Sequence, residues 1–87
     1  MRVLVVDDDK LVTVSLRTIL EADGDIEVAG TGASGTEAVA LYGQLKPDVL
    51  LMDIRMAGMT GLDAAEAILA TDPKARILFL TTFSDDE

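Results

Sequence analysis

The stretch Val49-Leu50-Leu51-Met52-Asp53 is a short apolar run that ends on a carboxylate. The same pattern occurs where Val3–Val6 precede Asp7-Asp8-Asp9, and where Ile77–Leu80 precede Thr81-Thr82. Short apolar runs with helical patterns between them are typical of the buried strands of a parallel sheet. Because the carboxyl ends of such strands lie at one edge, the sequence predicts that these acids and a hydroxyl share a ligand crevice.

Helical periodicity between the runs predicts the element order β-α-β-α-β-α-β. The first helix is expected to stop near Asp23-Gly24, and the alternating run Ile26–Ala29 is expected to form a strand nearer the sheet edge. Ser34–Glu37 and Thr60–Asp63 have the form of capping boxes that open the next two helices, and Pro47 is expected to close the first of these. Alternating strands and helices predict an α/β fold with parallel strands and right-handed crossovers.

Length and composition limit the possible functions. The 87 residues allow one small domain, and its core must be aliphatic because apolar residues make up 49% of the chain and aromatic residues only 3%. A net charge of −9 argues against direct binding of nucleic acid or of an anionic membrane surface. The chain has no Cys and no His, which excludes thiolate and imidazole chemistry and fits a cytoplasmic location. No apolar run approaches the ~18–20 residues of a membrane helix.

The acids predicted at the sheet edge would repel each other unless a positive charge lies near them. Carboxylates about 5 Å apart, at an effective dielectric constant of about 20, repel each other by roughly 3 kcal/mol per pair. Lys10 and Arg55 are the only basic residues close to Asp7, Asp8 and Asp53 in sequence. A hard divalent cation is therefore expected, and Mg²⁺ suits such a pocket because it binds one or two carboxylates and keeps several waters.

Four ordered motifs resemble those of response-regulator receiver domains of two-component systems, most closely the NarL/LuxR-type subfamily. The motifs are Val5–Asp8, Pro47–Met56, Gly58–Leu62 and Leu80–Phe83, and the resemblance covers essentially all 87 residues. It implies a flavodoxin-like (CheY-like) parallel sheet with helices on both faces. It also implies that a partner histidine kinase donates a phosphoryl group, and that the full-length protein regulates transcription.

The resemblance also implies roles for individual residues. Asp53 matches the phospho-accepting aspartate. The residues that match the Mg²⁺ site are Asp7, Asp8, Asp53 and, through its backbone carbonyl, Arg55. Thr81 matches the hydroxyl that moves to the phosphoryl group when the domain switches. Thr82 fills the small-residue position beside the pocket.

The chain departs from the family pattern in two ways. Ala57 stands where the family usually has Pro, which is expected to loosen the loop after Asp53. The family continues through a further helix, a fifth strand with a phosphoryl-binding lysine and a last helix, followed in this subfamily by a DNA-binding helix-turn-helix domain. Ser84–Glu87 has the form of a helix start. Residues 1–87 are therefore expected to be a truncated receiver domain that phosphorylates poorly, and the apolar edge Ile77–Leu80 is expected to favour self-association or domain swapping.

Gly30–Gly35 support a different interpretation, because they fit the dinucleotide-binding pattern G-x-G-x-x-G after a strand, with Asp53 about twenty residues further on. This interpretation leaves Asp7, Asp8 and Thr81 without a role. The competing interpretation is a turn that needs the conformational freedom of glycine, followed by a capping box.

An Mg²⁺-dependent phosphohydrolase is a further alternative, because Asp7 and Asp9 have the spacing of its paired acids; Asp53 would then lack a role. The last alternative function is that of a pseudo-receiver that serves only as an interaction surface.

Other residues near the predicted site are expected to have no direct role in the chemistry. Asp9 is expected to be a solvated loop charge, and Lys10 a surface residue that could tune the pocket. Three methionines are expected to pack or make loop contacts instead of binding metal, namely Met52, Met56 and Met59.

Overall fold

Four strands and three helices alternate along residues 1–56 and 58–80, the part of the chain that the computed structural model describes. The elements are β1 (Arg2–Val6), α1 (Lys10–Glu21), β2 (Glu27–Gly32), α2 (Gly35–Leu45), β3 (Val49–Asp53), α3 (Gly61–Thr71) and β4 (Ile77–Leu80). This order confirms the α/β prediction. The longest helix, α1, has 12 residues, and no helix in these ranges has the length and apolar character needed to cross a membrane.

The four strands form one parallel sheet in the order β2-β1-β3-β4. In its register, Val6 of β1 pairs with Gly32 of β2 on one side and with Met52 of β3 on the other. Asp53, the last residue of β3, pairs with Leu80 of β4. The carboxyl ends of β1 and β3 are therefore adjacent, and β4 lies at an edge of the described sheet.

Side chains alternate between the two faces of the sheet, and each face has its own apolar cluster. The cluster shared with α2 and α3 has at its centre Leu4, Val6, Ala38, Leu50, Met52, Met56, Ala64, Ala65 and Ile68. The cluster under α1 contains Val3, Val5 and Val28. The core is thus aliphatic, as predicted. Met52 and Met56 are buried in it, which confirms that they pack, whereas Met59 is more exposed.

Ser34 and Thr60 cap the N-termini of α2 and α3, as the capping-box patterns predict. The Ser34 hydroxyl accepts the Glu37 backbone N–H at 3.1 Å, and the Thr60 hydroxyl accepts the Asp63 backbone N–H at 3.1 Å. The Glu37 carboxylate accepts the backbone N–H of Ala33 at 2.7 Å. The box that starts α2 therefore extends one residue further back than its usual form.

The far ends of α2 and α3 are joined by a hydrogen bond between side chains. The Tyr42 hydroxyl donates to Oδ2 of Asp72 at 2.8 Å. Tyr42 lies near the end of α2, close to the start of β3. This contact is therefore at the opposite end of the sheet from Asp53.

The predicted turn at the start of Gly30–Gly35 is wrong. Gly30 and Gly32 belong to β2, and among the described glycines only Gly58 has a positive φ. Close packing explains these two glycines instead: a Cβ on Gly30 would lie 2.8 Å from Leu45 Cδ1, and one on Gly32 would lie 3.1 Å from Leu41 Cδ1. The dinucleotide pattern thus begins inside a strand, whereas a phosphate-binding glycine turn follows the strand.

Candidate functional site

Three carboxylates converge at the carboxyl edge of the sheet. One oxygen from each of Asp7, Asp8 and Asp53 lies within 4.8 Å of the others. The register explains this convergence, because β1 and β3 are neighbouring parallel strands and the acids come at their ends. The structure therefore brings together the three acids that the sequence predicted would meet.

Asp9 is not part of this group. It is exposed, and its Oδ1 accepts the backbone N–H of Leu11 at 3.0 Å, so it is the N-cap of α1. Asp9 is thus exposed to solvent and outside the acidic group, as predicted, and it additionally caps α1. The backbone of Asp9 also contacts the acidic group, because its N–H donates to Oδ1 of Asp7 at 2.8 Å.

Asp7 is the most buried acid of the group, with a relative exposure of 2%. Its Oδ2 is buried and has no hydrogen-bond partner among the described residues. Burial raises the pKa of the Asp7 carboxyl, the Asp9 N–H opposes this shift, and the charges of Asp53, Asp8 and Asp9 add to it. Buried polar atoms rarely lack a partner, so this oxygen points to a missing donor or cation.

Asp53 is also buried, with a relative exposure of 7%. Its Oδ1 accepts the backbone N–H of Arg55 at 3.2 Å. The backbone of Arg55 therefore lies beside the carboxylate, while the Arg55 residue as a whole is exposed. Asp8 is exposed as well, so the group opens to solvent on the side of Asp8.

These acids form a donor set for a hard cation. Carboxylate and carbonyl oxygens are the ligands of Mg²⁺ and Ca²⁺, and a cation would satisfy the unpartnered oxygen of Asp7 and offset the repulsion among the acids. The donor set therefore fits Mg²⁺. A carboxylate such as that of Asp53 has the chemistry of a nucleophile.

A solvent-open cavity of about 430 Å³ adjoins the acids between α1, β2 and α2. Asp7 and Asp8 form one wall, and Lys10 and Arg17 bring positive charge to the rim. Lys10 is exposed as predicted and lines this cavity. The contribution of Arg17, which lies two helical turns further along α1, was not predicted from the sequence.

Several residues singled out in the sequence lie outside the described residues. These are the two hydroxyl residues Thr81 and Thr82, the departure from the family pattern at Ala57, and the capping-box pattern Ser84–Glu87. Their predicted roles stay predictions.

Comparisons with known proteins agree with this geometry. A family profile described as "Response regulator receiver domain" matches residues 3–87. Response regulator protein VraR of Staphylococcus aureus is 42% identical over 87 residues, which are 100% of this chain and 42% of that protein. The chain thus spans about two fifths of the length of the curated relatives it matches.

Two solved structures illustrate the likeness in three dimensions. The signal receiver domain of the response regulator NarL from Mycobacterium tuberculosis has a TM-score of 0.87 at 34% identity, covering 99% of this chain and 68% of that chain. The CheX–CheY–BeF₃–Mg²⁺ complex from Borrelia burgdorferi gives a TM-score of 0.90 at 28% identity, covering 99% and 65%. The chain therefore belongs to the family of response regulator receiver domains, and it is of the NarL/LuxR type.

Proposed function

We propose that Asp53 accepts one phosphoryl group in an Mg²⁺-dependent reaction, and that the added charge switches the output of a longer protein. The observation that carries the proposal is the convergence of Asp7, Asp8 and Asp53 around an unpartnered, buried oxygen of Asp7. Neither alternative enzyme class accounts for all three acids. The dinucleotide interpretation is further weakened by the position of its first glycines inside β2.

The proposed reaction is an in-line phosphoryl transfer. An Asp53 oxygen attacks phosphorus and an O–P bond forms. The P–N bond within the phosphohistidine of a partner kinase breaks, which leaves the histidine in its unphosphorylated form. The Arg55 N–H holds Oδ1 of Asp53 and so orients the carboxylate. When bound, Mg²⁺ neutralises charge on the attacking and transferred oxygens.

The Mg²⁺ ligands are proposed to come from three side chains and one backbone group. Asp7, Asp8 and Asp53 supply carboxylate oxygens, and the backbone carbonyl of Arg55 supplies the remaining protein ligand. The Borrelia complex, in which Mg²⁺ is present, supports the choice of metal. Thr81 is proposed to move its hydroxyl to the phosphoryl group, and Thr82 to fill the position beside it.

Residues 1–87 are proposed to act as one receiver unit whose partner is a histidine kinase, in the cytoplasm. Any contact with DNA is assigned to another part of the longer protein, since this segment carries a net charge of −9. The unit is proposed to be a stoichiometric switch, because Asp53 is itself the acceptor and stays modified after one transfer.

Intact mass after incubation with acetyl phosphate tests this function. With Mg²⁺ we expect a single-phosphate adduct that forms slowly, as expected above for residues 1–87, that also decays slowly, and that is absent when the metal is chelated. Sustained release of phosphate from phosphate esters would instead support the hydrolase alternative. Micromolar binding of NADH, measured by its fluorescence, would support the dinucleotide alternative.

Self-association through β4 is a separate prediction. β4 lies at an edge of the described sheet, and Leu78 is 59% exposed on it. Apolar edge strands favour pairing with another chain. We expect concentration-dependent association in sedimentation velocity, and Leu78→Lys should weaken it by about tenfold, as the loss of one apolar contact implies.

Leu62→Lys is the matched control, because Leu62 is 57% exposed but lies on α3. Its association should equal that of the wild-type chain. A wild-type chain that stays monomeric at every concentration would refute the prediction. If both substitutions weaken self-association equally, the effect comes from the added charge, and association does not proceed through β4.

A further inference from the structure

Gly61 begins α3 at a point where the helix lies against the backbone of the proposed phosphoacceptor. A Cβ on Gly61 would lie 2.3 Å from the carbonyl oxygen of Asp53 and 2.9 Å from the Cα of Ile54. Both atoms belong to the backbone, so no change of side-chain rotamer could make room. A methyl group therefore requires the two segments to separate by roughly 1 Å to reach ordinary van der Waals contact.

A hydrogen bond accompanies this close approach. The Gly61 N–H donates to the carbonyl oxygen of Ile54 at 2.9 Å. The N–H groups at the start of a helix have no partner within the helix, and here the connection from β3 supplies one. The first turn of α3 is thus fixed to the residue that follows Asp53.

The connection between β3 and α3 is confined on another side by α2. A Cβ on Gly35, the first residue of α2, would lie 2.5 Å from the carbonyl oxygen of Met59. Met59 lies two residues before Gly61. Close backbone contacts therefore flank the start of α3, and little slack is left to absorb a methyl group at Gly61.

We propose that Gly61 is a positioning residue for phosphoryl transfer at Asp53. The inference rests on the function proposed above. The missing Cβ lets α3 hold the Asp53–Ile54 backbone in place, and that backbone sets the direction of the Asp53 carboxylate and of the Arg55 N–H that it accepts. A misplacement of about 1 Å near a reacting group can lower a rate by about 100-fold.

Gly61→Ala tests the inference, with Gly43→Ala as the matched control. Gly43 lies inside α2, is exposed, and has nothing within 4 Å of its Cβ position. The rate of adduct formation from acetyl phosphate is measured by intact mass at several Mg²⁺ concentrations. The folded fraction is measured by circular dichroism in the same buffer, and each maximal rate is divided by it.

For Gly61→Ala, we expect the maximal rate per folded molecule to fall by about 100-fold, while Gly43→Ala keeps the wild-type rate. A purely structural role would lower only the folded fraction and would leave the rate per folded molecule unchanged. That result would overturn the inference while the wild-type adduct still supports the proposed function. A wild-type chain that forms no adduct would overturn the function, and the inference with it.

If Gly61→Ala does not fold, Thr60→Ala tests the positioning role of the first turn of α3 instead. Loss of this cap costs only about 1 kcal/mol, and it loosens the same first turn of α3 because Thr60 accepts the Asp63 N–H. We expect about a tenfold lower rate per folded molecule, as a partial loss of the same positioning. A folded Thr60→Ala chain with the wild-type rate would refute the inference.

Discussion

Replacing Asp53 with Asn is expected to abolish the single-phosphate adduct. The amide keeps the size of the carboxylate, and its oxygen can still accept the Arg55 N–H that Oδ1 accepts in the wild type. It is not an anionic nucleophile, so the O–P bond cannot form at this position. Adduct formation should therefore fall below detection over the period in which the wild-type chain reaches its plateau, as followed by intact mass.

Asp63→Asn is the matched control for this substitution. Asp63 is also an aspartate close in sequence, but it is exposed in the first turn of α3. Its replacement should leave the adduct intact and reduce the free energy of unfolding by roughly 0.3–1 kcal/mol, through a weaker interaction with the helix dipole. An adduct on Asp53→Asn at the wild-type rate would place the acceptor elsewhere.

The contribution of Asp7 to the pH dependence of stability is expected to change sign when Mg²⁺ is added, because a bound cation favours the charged carboxylate. Burial raises the pKa of Asp7 in the folded chain above its value in the unfolded chain. The folded state therefore binds the proton more tightly, and this contribution to stability is present below the unfolded pKa of about 3.9 and lost as pH rises through the folded pKa. Without metal, the charged Asp7 should then destabilise the fold at neutral pH.

Asp7→Asn should remove this destabilisation. The amide can keep the hydrogen bond from the Asp9 N–H while removing the buried charge. In metal-free buffer at neutral pH, we expect the free energy of unfolding to rise by about 1–3 kcal/mol, because the desolvated charge and its repulsion by Asp53 and Asp8 are removed. Urea denaturation followed by circular dichroism, at a series of pH values, measures this change.

Mg²⁺ should stabilise the wild-type chain and leave Asp7→Asn nearly unchanged. A ligand at about 100 times its dissociation constant adds roughly 2.7 kcal/mol to the free energy of unfolding. Asp25→Asn is the control, because Asp25 is exposed and lies outside the acidic group. If Asp7→Asn lowers stability in metal-free buffer, or if Mg²⁺ stabilises it as much as the wild type, then Asp7 is not a ligand whose buried charge the cation offsets.

Patterns that are local in sequence predicted most of the fold. The apolar runs ending at Asp53 and before Asp7 predicted the strands, and the capping residues Ser34 and Thr60 predicted where two helices begin. The meeting of the three acids followed from a general property of parallel sheets, so it required no knowledge of side-chain packing.

The features that the sequence did not reveal depend on contacts between distant segments. Gly30 was interpreted as part of a turn because glycine often marks one, yet it lies in β2, where Leu45 of α2 leaves no space for a Cβ. Gly61 lies against the carbonyl of Asp53 for a similar reason. Nothing in the neighbouring residues specifies such distances, since they arise only when helices pack on the sheet.

The hydrogen bond between Tyr42 and Asp72 gives the protein an optical reporter of its own folding. Tyr42 is the only tyrosine, and the chain has no tryptophan. Burial, reinforced by the hydrogen bond and the charge of Asp72, raises the pKa of Tyr42 to about 12. In the unfolded chain the phenol should ionise near pH 10. Between these two values, folded chains keep a neutral phenol and unfolded chains carry a phenolate, so the ultraviolet absorbance of one residue counts the folded molecules without a label.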